Sequence, residues 1–286
     1  MFDFCADPDV LVGIDWFACY LTTGKHLAFY GSFLTVLLLL AIVAPLAILV
    51  GLGGAFAKRS RIRPARWIGI AFTSVVRGVP DIIFFLFVPI ALDQGLEWLR
   101  HQAFCPDWSE PVRRGNDFVV CPQAKLPLAT ASAGVHAAYG FALAVVAYAA
   151  VFGAFAANIL DGALSAVPRG QLEAGRAVGM SERQILWRIH LPQMWRYALP
   201  GLSNLWQILI KATPLLFLLG VEDVVYWARE LGGAKTSAFD YPHPDWRAWY
   251  FAGLLLFYLL LTWISQVGFG ALMRRAGRGQ PSGLGA

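Results

Sequence analysis

Three charged residues fall in stretches apolar enough to lie within a membrane: Arg77, Asp81 and Lys211. An ionisable group in hydrocarbon is costly and is read by default as a functional site. The ammonium of Lys211 could attract a carboxylate, and Thr213-Pro214 beside it offers a backbone carbonyl freed by the proline. The structural alternative is that Lys211 reaches the interface or pairs with a carboxylate such as Asp81. Arg77 and Asp81 stand four residues apart and can pair, although Pro80 breaks the helical ladder between them. A second group, His101, Asp107, Glu110 and Asp117, supplies acids and bases in one polar loop. No known catalytic spacing organises them, and a solvated cap accounts for them equally well. The sequence has no G-x-x-x-x-G-K-[ST] nucleotide loop, and Gly51-Leu52-Gly53-Gly54 ahead of Lys58 lacks the Gly-Lys step. Energy must therefore come from a partner. His101, His136, His190 and His243 form no ligand spacing and there is no C-x-x-C pair, so no metal is expected.

The elements around these residues are dictated by composition. Of 286 residues, 58% are hydrophobic and only 14% charged, and the mean hydropathy is +0.57. A soluble globular chain needs a more polar surface. Five runs, 30–57, 67–92, 135–157, 197–220 and 248–273, have the roughly 20 apolar residues that cross a bilayer. None shows the alternation of a membrane barrel, so the fold class is an all-α polytopic membrane protein with five transmembrane helices.

Basic residues set the orientation. Five of them stand between Lys58 and Arg66, five more are Arg169, Arg176, Arg183, Arg188 and Arg196, and Arg274, Arg275 and Arg278 close the chain. Placing all thirteen in the cytoplasm puts the N-terminus outside and the C-terminus inside. Residues 1–29, with Asp3, Asp7, Asp9 and Asp15, lack the basic start and apolar core of a signal peptide and read as an extracytoplasmic arm. Residues 30–275 form the transmembrane domain, with an external loop at about 99–134 and a cytoplasmic loop at about 161–195. Residues 276–286 read as a flexible cytoplasmic tail. The external loop holds four prolines, Pro106, Pro111, Pro122 and Pro127, and a turn-like Arg114-Gly115-Asn116-Asp117. A surface helix is expected over 221–231, with Glu222, Asp223, Arg229 and Glu230 on its polar faces.

Cys5, Cys19, Cys105 and Cys121 all fall on the outer side, where disulfides form. Connectivity is not legible in sequence. The pairing expected is Cys105–Cys121, with Cys5–Cys19 as the second pair. Four unpaired small hydrophobes are the alternative.

The cytoplasmic loop is unusually ordered. Pro168 can open a helix. Ala174, Gly175 and Ala177 leave a surface that another backbone can approach, and Gly179 suits a helix stop. Ser181 with Gln184 reads as a capping box opening a second helix through His190, which Pro192 interrupts. A pair of interfacial amphipathic helices would look similar.

The spacing Glu173-Ala174-Gly175, Gly179, Ile189, Leu191-Pro192 resembles the signature loop of the membrane subunits of ABC importers. Arg77-Gly78-Val79-Pro80, Leu199-Pro200 through Asn204, and Ile210-Lys211-Ala212-Thr213 extend the resemblance to permeases of the histidine/arginine/glutamine type, over about 30–98 and 136–275. The resemblance implies the type I importer permease fold in a bacterial inner membrane and a transport component rather than an enzyme. It implies ABC ATPase subunits that use ATP and Mg, with no cofactor on this chain. It also implies a second permease subunit, an external amino-acid-binding protein and no nucleic acid. Glu173, Ala174, Gly175, Gly179, Ile189, Leu191 and Pro192 would touch the ATPase. Arg77, Asp81, Asn158, Asn204, Lys211 and Thr213 would line the substrate pathway, the substrates being polar, basic amino acids. The chain departs from the family pattern at Asp81, Phe84, Phe155, Asn158, Leu205, Ala212 and Pro214. Polar pathway positions have mostly become apolar, so a heterodimer in which the homologous partner holds the ligand is expected. Another small solute such as an opine, or an enzyme acting through its external loop, are the alternatives.

Overall fold

The computed structural model describes Cys5 and residues 11–108, 110, 112–115 and 117–277. Asp3, Asp7 and Asp9 of the arm, Pro111 and Asn116 of the external loop, and the tail from Arg278 lie outside the described residues. Helices dominate: α1 (Ile14–Leu21), α2 (Gly24–Lys58), α3 (Arg63–Gly78), α4 (Asp81–Phe104), α5 (Ala133–Ala166), α6 (Arg169–Ala177), α7 (Glu182–Ile185), α8 (Leu191–Ala212), α9 (Val224–Gly232) and α10 (Arg247–Ala276). A π-turn, Leu186–His190, joins α7 to α8, and a 3-10 segment, Thr213–Leu219, follows α8. The strands are β1 (Arg113–Arg114) and β2 (Asp117–Phe118), an antiparallel pair.

Five helical stretches are long and apolar enough to span a membrane: Gly24–Lys58, Asp81–Phe104, Ala133–Ala166, Glu182–Leu219 and Arg247–Ala276. The second differs from the expected run over 67–92. Pro80 has no N–H and drives the residue before it out of the helical region, so the chain breaks after Gly78 and a new helix starts at Asp81. Arg77 therefore lies exposed in the last turn of α3, not inside a span, and Asp81 opens the membrane helix. α3 buries one face, Gly69, Thr73 and Val76. The count of five is unchanged.

The chain divides into two compact units. Unit 1 comprises residues up to Val43, Val79–Ala149 and Pro214–Tyr250. In it α1 is tied by a Cys5–Cys19 disulfide and packs Trp16 and Tyr20 against Tyr241 and Trp246. A second disulfide, Cys105–Cys121, closes the external loop. The loop is also held to α4 by polar bonds. Buried Glu97 accepts the Leu126 N–H at 3.0 Å, buried His101 accepts the Cys121 N–H at 3.1 Å, and Arg100 donates to the Gln123 carbonyl at 2.8 Å.

The surface helix begins at Val224 rather than 221, and Asp223 is not on its polar face. Asp223 is its N-cap, accepting the N–H groups of Val225 (3.0 Å) and Tyr226 (2.9 Å). It is fully buried, and its Oδ2 has no partner among the described residues. Burial pushes its carboxyl up to about 6. A raised carboxyl binds its proton more tightly in the fold than in the open chain, so stability falls as pH rises from about 4 to about 6. Hydrogen exchange should show α9 opening more readily at pH 7 than at pH 4.5, by roughly 2 kcal/mol. Asp223→Asn, which keeps the cap, should remove that dependence.

Unit 2 comprises Ala44–Gly78, Ala150–Thr213 and residues from Phe251 onward. Here α2 and α5 approach at the backbone. A Cβ on Gly51 would lie 2.7 Å from the Ala156 Cβ, and one on Gly153 would lie 2.5 Å from Val50 Cγ1. Without a hydrophobic drive between helices in lipid, small residues make contact by letting backbones close up. The glycine-rich run in α2 is a packing surface.

Candidate functional site

The cytoplasmic loop folds as a helical hairpin of α6 and α7, and each residue of the motif has a definable task. α6 ends in a Schellman motif: Met180 N–H bonds the Gly175 carbonyl (3.0 Å), Gly179 N–H bonds the Arg176 carbonyl (3.0 Å), and Gly179 takes a φ of +81°. Ser181 then caps α7, with its Oγ accepting the Gln184 N–H and the Gln184 side chain accepting the Ser181 N–H. Arg176 clamps Glu182 with bonds of 2.7 and 3.2 Å. Gly175 is buried where the helices cross: a Cβ there would meet Ile189 Cδ1 at 2.9 Å and Ile185 Cγ1 at 3.2 Å. The small residue and the distant isoleucine of the motif are thus two halves of one contact.

Pro192 does not interrupt the second helix. The π-turn carries α7 directly into α8, with the Leu191 N–H donating to the Leu186 carbonyl, and Pro192 sits in the first turn of α8, where its missing N–H is tolerated. His190 Nε2 bonds the Leu164 carbonyl at 2.9 Å, fixing the hairpin to the end of α5. Glu173, Ala174, Val178 and Gly179 are exposed, Val178 to 77%. An apolar side chain so open, flanked by small residues and a carboxylate, forms a surface that another molecule can approach.

Among the described residues of unit 2, no hydrogen bond or ion pair joins Arg77, Asn158, Asn204, Lys211 and Thr213 to one another. Asn204 and Lys211 lie on one outward stripe of α8, with Pro200 and Ile208 exposed between and beside them. Among the described residues Lys211 makes no ion pair. Thr213 is fully buried; its hydroxyl donates to the Ile210 carbonyl at 2.9 Å and pairs with the Tyr258 hydroxyl at 2.9 Å. The carbonyl that Pro214 leaves without an amide is therefore already occupied by Thr213. Asn158 accepts from Lys58 Nζ at 2.8 Å. Lys58 also pairs with Asp161 at 2.8 Å and Arg59 with Asp161 at 2.6 Å. Sequence reasoning missed this cluster, which fastens the end of α2 to α5. Its signal was present: Asp161 is a lone acid at the end of an apolar run whose only obvious partners are in the basic stretch after α2.

Five membrane-length helices and a capped hairpin between the third and fourth define an all-α polytopic permease of the type I importer fold. Among solved structures, one described as an amino acid ABC transporter with histidines shares this fold with a TM-score of 0.62 at 20% identity, covering 93% of this chain and all of that one. The MetNI methionine ABC transporter matches with a TM-score of 0.57 at 15% identity, over 87% of this chain and 96% of that one. The chain belongs to the family of binding-protein-dependent transport system inner membrane components, which it matches over residues 45–278. It is 32% identical to the arginine ABC transporter permease protein ArtQ of Escherichia coli K12, over 78% of this chain and 86% of the relative. It is 34% identical to the histidine/lysine/arginine/ornithine permease protein HisQ of Salmonella typhimurium, over 82% and 87%. The nopaline transport system permease protein NocQ of Agrobacterium fabrum is 29% identical over 79% and 80%. The protein is a multi-pass inner-membrane permease subunit of an ABC amino-acid importer, a transport component rather than an enzyme.

Proposed function

We propose that this chain imports basic amino acids as one of two permease subunits, driven through its hairpin by a separate ATPase that uses ATP and Mg. The transported class rests on the relatives, whose names specify arginine, histidine, lysine and ornithine. The observation that carries the coupling role is the open face of Glu173, Ala174 and Val178 on a hairpin fixed by a Schellman motif, a capping box and the Gly175 contact. A surface built so firmly and left uncovered suits docking of another protein. Ile189 packs against Gly175 within the hairpin, and Leu191 and Pro192 carry it into α8.

The exposed stripe bearing Asn204 and Lys211 supports a pathway shared with a second permease subunit, because polar groups at membrane depth face a bundle interior or a watery cavity rather than lipid. The apolar substitutions elsewhere favour a homologous partner that supplies most ligand contacts. Substrate arrives from an external binding protein on unit 1. Opines are a second substrate reading, favoured by the nopaline relative.

Coupling is tested by uptake of labelled arginine in cells carrying Val178→Asp, Gly179→Arg or a deletion of residues 173–180. Each variant should reach the membrane in normal amount. The deletion and Gly179→Arg should abolish uptake, and Val178→Asp should reduce it at least tenfold. Normal uptake in all three would overturn the coupling role.

A further inference from the structure

Unit 1 contains a cavity of about 400 Å³ that none of the pathway candidates lines. This lies within the size range of pockets that hold small ligands, roughly 300–1,000 Å³. Lys25 and Lys235 line it, and both ammonium groups rest on one oxygen of Glu230, at 2.8 and 3.2 Å. Both lysines line the cavity, and the carboxylate they share does not. With Glu230 shared by the pair and Asp240 on the same wall, two carboxylates balance the two lysines, so the cavity offers groups of both signs, as a zwitterion requires. Lys235 is held firmly: its side chain is only 17% exposed and its ammonium lies 5.0 Å from the centre of the Phe239 ring. The same cavity is lined by Asp240 and by the rings of Phe239 and Tyr241. A carboxylate beside aromatic faces suits a cation.

We propose that this cavity is an external site for a free basic amino acid, with its α-carboxylate at Lys25 and Lys235 and its cationic side chain at Asp240 and the Tyr241 ring. The proposal rests on the amino-acid reading above and places substrate on the outer side of the chain, apart from the α8 stripe. It gives substrate released by a binding protein a place to wait before the pathway opens.

The test is equilibrium binding of labelled L-arginine to the assembled transporter in nanodiscs, without binding protein. Agmatine, which has the same cation but no carboxylate, is the competitor. Arginine should bind, agmatine should compete at least tenfold more weakly, and Lys235→Gln should weaken arginine at least tenfold. Asp240→Asn changes an exposed residue and covers the case in which Lys235→Gln fails to fold. It should weaken arginine severalfold and leave the neutral L-norleucine unchanged. Equal competition by agmatine, or arginine affinity unaltered in both variants, would overturn the site. If an opine or neutral amino acid binds in a Lys235-dependent way and arginine does not, the site stands and the basic-substrate reading falls. If arginine is transported but no amino acid binds in a Lys235-sensitive way, the site falls and the transport reading stands.

Discussion

A Gly175→Leu chain is expected to insert into the membrane normally and to lose transport. A Cβ there would sit 2.9 Å from Ile189 Cδ1, a side-chain tip that can turn aside, and 3.2 Å from Ile185 Cγ1, and the rest of a leucine must then displace both isoleucines. Forcing extra carbons into such a contact costs about 1–3 kcal/mol. What must resist it is one exposed Arg176–Glu182 pair, the capping box, the Schellman bonds and the His190 bond to the Leu164 carbonyl, none of which fills the space between the two helices. An exposed ion pair contributes only about 0.2–1 kcal/mol. The two helices should therefore splay and the exposed face of Glu173 and Val178 should move out of register. Arginine uptake, and ATP hydrolysis by the assembled complex, should fall at least tenfold. Gly170→Leu is the control, because a Cβ on Gly170 meets nothing within 4 Å. If Gly175→Leu transports as well as Gly170→Leu, the hairpin geometry does not matter to coupling.

Gly153→Leu should act on the fold itself. A Cβ there would lie 2.5 Å from Val50 Cγ1 and 2.7 Å from Val50 Cβ, on the facing helix. A branched side chain rooted in helical backbone cannot swing away as a flexible tip would, so α2 and α5 must separate. Separation also loosens the reciprocal contact of Gly51 with Ala156. At about 2–4 °C per kcal/mol for a chain of 150–250 residues, a loss near 3 kcal/mol lowers the melting temperature by roughly 6–12 °C. Gly140→Leu, on the same helix α5 but with nothing within 4 Å of its Cβ, should melt like the parent chain. Equal melting of the two variants would show that the close approach does not bear on stability.

The sequence allowed the five helices and the hairpin to be read because both have strong local causes. Long apolar runs leave little choice, and Gly179, Ser181 and Gln184 each act on their immediate neighbours. The break at Pro80 was visible as a residue type, yet the apolar residues around it joined 67–92 into one run. Burial of Asp223 was not legible: an acid among Glu222, Arg229 and Glu230 looks solvated, and only the cap it makes to Val225 and Tyr226 draws it inside. Thr213 shows the same limit. Its hydroxyl looks free beside a proline, and its engagement by Ile210 and Tyr258 depends on a helix 45 residues away. The Gly175–Ile189 contact was written in the motif spacing, but its meaning as a steric fit required the crossing of the two helices.

The unbroken passage from α7 through the π-turn into α8 has a mechanical consequence. Glu182 to Ala212 is one helical rod, about 46 Å long at roughly 1.5 Å per residue. Tilting such a rod by about 5° around its hairpin end carries its far end, where Lys211 sits, through about 4 Å by the same geometry. The chain thus contains a lever whose short stroke is applied in the cytoplasm and whose long stroke is delivered at membrane depth. Pro200, which withholds an amide partway along the rod, is the natural place for that lever to bend.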